Sequence, residues 1–548
     1  MRKKKLILLL IIFLGLFLRI LFLDKFPVGF TADEAAQGYT AYSILKTGKD
    51  EWGVRFPLNP RSFGDFKPPL YTYLTIPSVA IFGLKEFAVR FPNAILGSLA
   101  VLLVYFLVKK LTKEDDDLAF LSALLLAISP WHISLSRGAF EANLTTFFLP
   151  LAIFLFYCGL RHSLFLILSC LTFGLNLFTY HSAKLVTPLV LFFLLFLNKK
   201  NLSSKKLFYF LFVFFIFLGI SFLITFKGGG TRASDIGIFS GGWNDVAEAR
   251  YFAVSLGLSD FFARIFNNKL TFLIDQFLKN YFSYLSPQFF FTQGAGEATY
   301  GMIPGVGVLY LIELPFLLIS FFYLFKKKEP VLMFLWFWIF VSPIPAALSR
   351  GVGFHANRVA VMMPAVQIVS AYGALKFFEI LRKKFSFRLI FSVFTLILFF
   401  SLSLFLEKYF FQAPKLNGPV MGFGWKEIMS YVSTLENQYE TIVVSRRFSE
   451  PQTMIAFFKK WEPTDFQEKS KNWLEYQKAG FYFVDQLPEY NLGEYVFRNF
   501  VFPEDIKSKK TLFVGKEEDF LAVKGNIRKV IYYPGPQKRI AAIIIDFQ

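Results

Sequence analysis

A series of apolar stretches, each close to the length of a membrane span, constrains this chain more than any other feature. A helix needs about 20 apolar residues to cross the hydrocarbon of a bilayer. About 11 stretches approach that length, although the sixth is short and contains Pro188. They are 6–23, 88–108, 118–135, 144–160, 163–180, 184–198, 207–226, 305–325, 331–348, 359–375 and 389–406. The pattern predicts a polytopic α-helical membrane protein.

The basic residues of the chain cluster in alternate connections between these stretches. The net charge is +20, which in a soluble protein would suggest a nucleic-acid partner. Lys and Arg collect in the cytoplasmic loops of membrane proteins, and the clusters here lie at 2–5, 109–113, 199–206, 326–328 and 382–388. We therefore expect a cytoplasmic N-terminus and no nucleic acid. A plasma membrane location is predicted, because no organelle signal is visible.

The same topology divides the chain into two predicted domains. Residues 1–406 form a transmembrane domain with external loops at 24–87 and 227–304. Residues 407–548 mix helical with alternating patterns, which predicts an extracytoplasmic soluble α/β domain. Its predicted helices are 425–435 and 451–461, and its predicted strands are 441–444, 481–484, 511–514, 530–533 and 541–545. No nucleotide-binding fingerprint occurs in this sequence.

The external segment around Asp33 is the first candidate for chemistry. Thr31 and Glu34 have the spacing of a capping box, and Thr47-Gly48 is a stop signal, so a helix is predicted to run to about Lys46. Asp33 then lies in the first turn, where the helix dipole favours an ionised carboxylate. The alternative is that Asp33 and Glu34 only cap and solubilise the helix.

Further charged residues face the same predicted side of the membrane. Lys67 opens a Lys-Pro-Pro-Leu-Tyr motif, while Arg137, Glu141 and Arg358 lie beside span ends. Lys67 suits a lipid phosphate, or simply the anionic headgroups of the bilayer. Glu141 has an alternative as a partner of Arg137, four residues earlier on one helix. Arg358 has an alternative as a helix-end anchor.

The order of these motifs resembles the GT-C superfamily of integral-membrane glycosyltransferases. The group it is most similar to is the bacterial one related to protein O-mannosyltransferases and the lipid A aminoarabinose transferase. The resemblance covers residues 1–200 by motif and 200–406 by topology. It is carried by Asp33-Glu34, Lys67–Tyr71, Glu86–Asn93 and Ser129–Glu141.

The resemblance implies a reaction at the outer face of the membrane. A sugar passes from a polyprenyl-phosphate donor to a protein, lipid or polysaccharide acceptor, with inversion at the anomeric carbon. Asp33 matches the catalytic acid of the first loop and is expected to act as general base. Lys67 matches a basic residue placed against the lipid phosphate, and Arg137 and Arg358 are further candidates for that phosphate.

Glu34 and Glu141 are secondary candidates for holding the acceptor or a divalent metal. No cofactor is certain, and a divalent metal is left open. Three histidines in separate external turns are a weak pattern for zinc; they are His132, His181 and His355.

Two other functional classes compete with this interpretation. A transporter or flippase of lipid-linked glycans would show functional charges inside several spans and internal repeats. Glu313 is a clear acid within a span, and no repeat is visible. A non-catalytic scaffold for the C-terminal domain would leave the polar turns of the outer face unexplained.

Overall fold

The computed structural model describes residues 2–62, 65–239, 241, 243–296, 298, 300–350, 354–481, 483–508 and 510–547. The chain up to Glu407 is mainly helical. Its helices are α1 (Arg2–Ile20), α2 (Ala32–Thr47), α3 (Pro69–Phe82), α4 (Glu86–Leu111), α5 (Asp116–Ile128), α6 (Pro130–Ser136), α7 (Thr145–Gly159), α8 (Ser163–Asn176), α9 (Ala183–Leu197), α10 (Ser204–Ile236), α11 (Trp243–Ser255), α12 (Asp260–Phe266), α13 (Lys269–Ser283), α14 (Glu313–Lys327), α15 (Pro330–Val341), α16 (Ile344–Ala347), α17 (Ala365–Leu381) and α18 (Phe387–Glu407). A small hairpin, β1 (Arg61–Ser62) and β2 (Asp65–Phe66), lies between α2 and α3.

Each apolar stretch predicted from the sequence coincides with at least one helix. Among the described residues, five segments are long and apolar enough to cross a membrane, or six if α5 and α6, which meet at 57°, are one broken span. The five are Glu86–Leu111, Glu141–Gly159, Ser204–Phe226, Pro330–Ala347 and Phe387–Asn417. Helices α3, α8 and α9 are apolar but shorter. The predicted helical class is confirmed, while the number of spans stays a prediction.

The helices of the first domain pack around α4 and around the pair α14 and α17. Helix α4 contacts α1, α5 and α7, and its buried face carries small residues that allow close approach. Gly97, for example, lies against Ser136 at the end of α6. This packing brings the C-terminal end of α1, the N-terminal part of α4 and α6 together near α2.

The chain after α18 forms an α/β domain around one mixed sheet. Its helices are α19 (Ala413–Asn417), α20 (Trp425–Leu435), α21 (Pro451–Lys459) and α22 (Pro463–Lys469), and its strands are β3 (Thr441–Val444), β4 (Glu489–Leu492), β5 (Tyr495–Arg498), β6 (Thr511–Gly515), β7 (Asn526–Tyr532) and β8 (Ile540–Asp546). The strand order is β4-β5-β3-β6-β8-β7. Strand β3 is parallel to β5 and β6, and the other neighbours are antiparallel.

Most elements predicted in this domain are present. One predicted strand is wrong, and two strands, β4 and β5, and two short helices, α19 and α22, were missed. The predicted strand at 481–484 is wrong: residue 482 lies outside the described residues, and Val484–Gln486 is a 3-10 turn that buries Val484. An apolar run alone does not distinguish a strand from a turn packed into a core. The missed hairpin, β4 and β5, alternates buried and less buried residues about Gly493.

The two domains share a continuous hydrophobic core. Residues of α2, α3 and α4 pack with the sheet domain, and Phe30 stacks against Phe457 of α21 at 4.7 Å between ring centroids. The Tyr39 hydroxyl donates to the carbonyl of Trp461 at 3.1 Å. The first external loop is therefore held between the membrane domain and the C-terminal domain.

Candidate active site

Helix α2 begins as its sequence predicts. The Thr31 hydroxyl accepts a hydrogen bond from the Glu34 amide at 3.2 Å, and the Glu34 carboxylate accepts one from the Thr31 amide at 3.1 Å. Gly48 ends the helix in the left-handed conformation, with φ of 69°. The predicted capping box is confirmed, and it fixes Asp33 in the first turn of α2.

Glu34 has a second set of partners that its sequence position did not indicate. Arg90 of α4 donates to both oxygens of its carboxylate, at 2.8 and 3.1 Å, and the amide of Ala139 donates at 3.1 Å. Both side chains of this ion pair are 0% exposed. Glu34 therefore ties α2 to α4 and to the turn after α6, and its carboxylate does not face a cavity.

Asp33 and Lys67 form an ion pair across the first loop. The Lys67 ammonium donates to the Asp33 carboxylate at 2.6 Å, with side-chain exposures of 6% and 36% respectively. Lys67 lies between β2 and α3, where its own amide donates to the carbonyl of Pro60 at 2.8 Å. A neighbouring cation and the N-terminal end of α2 both favour the ionised form of a carboxylate.

Asp33 lines a cavity of about 510 Å³ between the first loop and the C-terminal domain. Aromatic rings and a few polar groups form its wall, as is common in ligand sites. The lining residues are Thr31, Ala32, Asp33, Phe140, Tyr300, Pro419, Val420, Gly422, Phe423, Trp425, Arg447, Phe448, Ser449, Glu450, Met454, Lys516 and Tyr533. Asp33 is the member of this wall that the sequence identified.

The predicted helical pairing of Arg137 with Glu141 is wrong. Helix α6 ends at Ser136, and Glu141 begins a separate 3-10 turn next to Phe140 of the cavity wall. The Arg137 guanidinium is buried and donates to the carbonyl groups of Leu18 and Leu21, at 2.8 and 2.6 Å. Arg137 thus satisfies the carbonyl end of α1 and does not line the cavity.

Arg358 is held in a different part of the outer face. Its guanidinium donates to the Ser349 hydroxyl at 2.7 Å and approaches the carbonyl of Arg350 at 3.5 Å. It is not one of the residues that line the Asp33 cavity. These contacts agree with the alternative in which Arg358 anchors a helix end.

The predicted metal ligands are not assembled into one group. Within the described part of the chain, no cluster of three or more His, Cys, Asp or Glu side chains is placed to hold a metal. His132 contacts Arg19 and Thr146, at 2.6 and 2.9 Å. Glu34, one of the two carboxylates considered for a metal, is paired with Arg90, and a divalent metal stays a prediction.

Three charged residues of the cavity wall were missed by the sequence analysis: Arg447, Glu450 and Lys516. All three belong to the C-terminal domain, more than 400 positions from Asp33. Arg447 is paired with Asp519 at 2.7 Å. Burial, and after it the neighbouring Asp485, raise the pKa of the Glu450 carboxyl to about 9. No motif or spacing joins these residues to the first loop.

Comparison with known proteins finds similarity to a family of mannosyltransferases and to solved structures of related fold. Residues 66–224 match the model of the family described as dolichyl-phosphate-mannose-protein mannosyltransferase. A protein of Aquifex aeolicus (strain VF5), described as uncharacterized, is 30% identical over 205 residues, which are 35% of this chain and 40% of that protein. The match therefore spans about two fifths of the relative's length.

Solved structures match a larger part of the chain. ArnT from Cupriavidus metallidurans in the apo state has a TM-score of 0.53 at 10% identity, over 98% of this chain and 97% of that one. The structure of the same ArnT bound to undecaprenyl phosphate has a TM-score of 0.51 at 11% identity, again over 98% of this chain and 97% of that one.

A second enzyme gives a match of similar strength over less of its own length. The Archaeoglobus fulgidus oligosaccharyltransferase, tethered with an acceptor peptide, has a TM-score of 0.50 at 16% identity, over 83% of this chain and 63% of that one. Likenesses at such identities establish the fold. The chain therefore has the fold of the GT-C superfamily glycosyltransferases related to ArnT and the protein O-mannosyltransferases, which confirms the resemblance found in its sequence.

Proposed function

We propose that this chain is a glycosyltransferase that moves a sugar from a polyprenyl-phosphate donor to an acceptor hydroxyl at the outer face of the plasma membrane. The observation that carries this proposal is the Asp33–Lys67 ion pair at the wall of a cavity between the two domains. In such a pair the carboxylate can act as a base on the acceptor oxygen, and the cation can stabilise negative charge on the departing phosphate. ArnT, which has the same fold, binds undecaprenyl phosphate.

In this mechanism Asp33 is the general base. The acceptor oxygen attacks the anomeric carbon while its proton passes to the Asp33 carboxylate. The bond between the anomeric carbon and the phosphate oxygen breaks, and the electron pair leaves on the polyprenyl phosphate. Attack from the face opposite the phosphate inverts the anomeric carbon.

Lys67 is proposed to stabilise the departing phosphate. Its ammonium is 6% exposed and already fixed against Asp33, so little reorganisation is needed when charge develops. The phosphate is a good leaving group, and a cation can replace a protonating acid. Arg137 and Arg358, the other phosphate candidates, donate to groups of the protein itself.

The remaining candidates keep supporting roles in the proposal. Glu34 holds the base in place through Arg90, because its carboxylate is fully engaged. Glu141 is proposed to help orient the acceptor from the edge of the cavity wall. The proposed steps are assigned to side chains of this chain alone.

In the part of the chain that the structure describes, no specific contact favours the transporter interpretation. Glu313 is buried, and its carboxylate accepts hydrogen bonds from the Ser370 hydroxyl at 2.8 Å and from the Tyr310 amide at 3.1 Å. These contacts satisfy the acid locally and join α14 to α17. An acid whose hydrogen bonds are made within the helix bundle stabilises the packing of its helices, and this role requires no transport of charge.

Sugar transfer by membranes that contain the full chain tests the proposal. Membranes with wild-type protein, Asp33→Asn or Asp24→Asn receive radiolabelled polyprenyl-phosphate sugars and a cell-envelope extract as acceptor. We expect transfer with the wild type and with Asp24→Asn, an exposed control in the same loop, and none with Asp33→Asn. A well-inserted Asp33→Asn protein that keeps most of its activity would overturn the assignment of the base.

A further inference from the structure

The C-terminal domain contributes one wall of the Asp33 cavity through two adjacent strand ends. The loop 446–450 follows β3, and Lys516 follows β6. These strands are parallel neighbours, paired from Thr441 with Thr511 to Val444 with Val514. Ligands of α/β sheets bind beyond the carboxyl ends of parallel strands, where successive loops diverge. The cavity lies at this edge of the sheet, facing the first turn of α2.

Glu450 is held in this wall by an unusual backbone conformation and a network of side chains. It precedes α21 with φ of 48° and ψ of 53°, a left-handed conformation that few residues other than Gly adopt. The residue is 6% exposed. Its carboxyl accepts a hydrogen bond from the Gln452 amide at 2.9 Å, and Gln452 accepts one from the Tyr490 hydroxyl at 2.8 Å.

The surroundings of the Glu450 carboxyl favour its uncharged form. Burial, and after it the neighbouring Asp485, raise the pKa of this carboxyl to about 9. Two acid groups in contact repel each other when both are charged, which opposes ionisation. The titratable groups around Glu450 are Asp485, Tyr490 and Arg446. Along the cavity, the charged groups are the Asp33–Lys67 pair, the Arg447–Asp519 pair and Lys516.

Two carboxyl groups with different surroundings therefore face one cavity. Asp33 is paired with a cation, while Glu450 is buried beside a second acid. Paired acids whose surroundings separate their protonation states commonly divide the work of a site between them. The Glu450 carboxyl has oxygen lone pairs besides the one that accepts from Gln452, and these can accept a hydrogen bond from the cavity.

We propose that Glu450 is an acceptor-binding residue, which accepts a hydrogen bond from an uncharged O–H or N–H group next to the acceptor hydroxyl that Asp33 deprotonates. The C-terminal domain then completes the acceptor site that the first loop begins. The backbone strain at Glu450 keeps its carboxyl at the cavity wall, where an unstrained turn would direct it elsewhere. This inference rests on the proposed transfer reaction.

Steady-state kinetics with two substitutions test the role of Glu450. The full chain in membranes receives the same labelled donor and cell-envelope extract, with the extract varied to obtain an apparent KM. Glu450→Ala is expected to raise this KM about tenfold with a smaller change in kcat, the effect of one lost hydrogen bond. Glu450→Gln is expected to restore most of the lost affinity, because an amide keeps the acceptor oxygen and donates to Asp485.

The pH dependence separates binding from a purely structural role. With a pKa raised to about 9, the wild-type carboxyl is expected to lose its proton above that pH, which adds a second negative charge to the cavity wall. We expect the wild-type KM to rise above pH 9, the Glu450→Gln profile to stay flat there, and Glu427→Gln, an exposed control on α20, to follow the wild type. Thermal unfolding at each pH shows whether the proteins are folded.

The outcomes distinguish this inference from the proposed function. A wild-type chain that transfers none of several lipid-linked sugars overturns the reaction itself, and the role of Glu450 with it. Wild-type transfer together with an unchanged KM in Glu450→Ala overturns only the role of Glu450. If Glu450→Ala does not fold, the Glu450→Gln protein decides. A KM that still rises above pH 9 in Glu450→Gln would likewise overturn only the role of Glu450.

Discussion

The buried contact between Glu34 and Arg90 shows how one residue pair positions the candidate base. Arg90 also donates to the carbonyl groups of Leu23, Pro27 and Gly29, at 3.2, 3.0 and 2.6 Å. One guanidinium therefore fixes the segment between α1 and α2 as well as the carboxylate beside Asp33. A buried charge with this many partners is costly to leave unpaired.

Glu34→Gln is expected to destabilise the protein by about 3–5 kcal/mol, because it leaves the Arg90 charge buried without its counter-ion. The measurement is thermal unfolding in detergent. Glu475→Gln is the matched control, since Glu475 and Lys478 form an exposed pair, with side-chain exposures of 63% and 76%, and little change is expected there. A Glu34→Gln protein of unchanged stability without activity would instead favour a direct role for Glu34 in binding.

At the scale of elements, α2 and α21 are the contact through which the two domains form the cavity. Gly38 of α2 lies close to Val89 of α4 and Phe457 of α21. A Cβ added at Gly38 would come within 2.5 Å of Val89 and 2.7 Å of Phe457. The absence of a side chain at this position therefore sets the distance between the helices. Asp33 and Glu450 lie at the N-terminal ends of these two helices, and both line the cavity.

Gly38→Val is expected to separate α21 from α2, lower sugar transfer and make the C-terminal domain sensitive to protease. Limited proteolysis of membranes with an antibody to the C-terminal end reports the release of the domain. Gly219→Ala in α10 is the control, because a Cβ there meets no atom within 4 Å. Equal protease resistance of Gly38→Val and the wild type would show that the contact adapts.

At the scale of the whole molecule, the topology places the cavity on one side of the membrane. The basic connections predict a cytoplasmic N-terminus and an extracytoplasmic C-terminal domain. The shared core of α2, α3 and α4 with the sheet domain requires both to lie on the same side. The proposed donor is embedded in the membrane, so its phosphate would lie level with the first loop.

Labelling of single cysteines in intact cells checks this topology. The two native cysteines, Cys158 and Cys170, are first replaced by Ala. A membrane-impermeant maleimide is expected to label Lys478→Cys in the C-terminal domain and not Lys200→Cys in a basic connection, although both positions are exposed in the folded chain. The reverse pattern would place the cavity in the cytoplasm and contradict the positive-inside assignment.

The sequence alone determined the parts of this protein that depend on local pattern. Apolar length predicted where the helices lie, since spanning hydrocarbon imposes a fixed number of residues. Capping chemistry predicted the start and end of α2, because the partners lie within three residues of each other. The alternation of residues predicted four of the six strands of the C-terminal sheet. Motif order predicted the GT-C resemblance and identified Asp33 and Lys67.

Only the tertiary structure decided which of the charged residues work together. Several charged residues share the type and the predicted side of the membrane of Asp33 and Lys67 but do not line the cavity. Glu34 binds Arg90, and Arg137 binds backbone carbonyls. Burial and partners, which depend on contacts between distant segments, separate the two groups. Glu450 faces Asp33 because a sheet formed by residues 441–546 docks on α2. No local pattern encodes that contact, so the second half of the site became visible only in the folded chain.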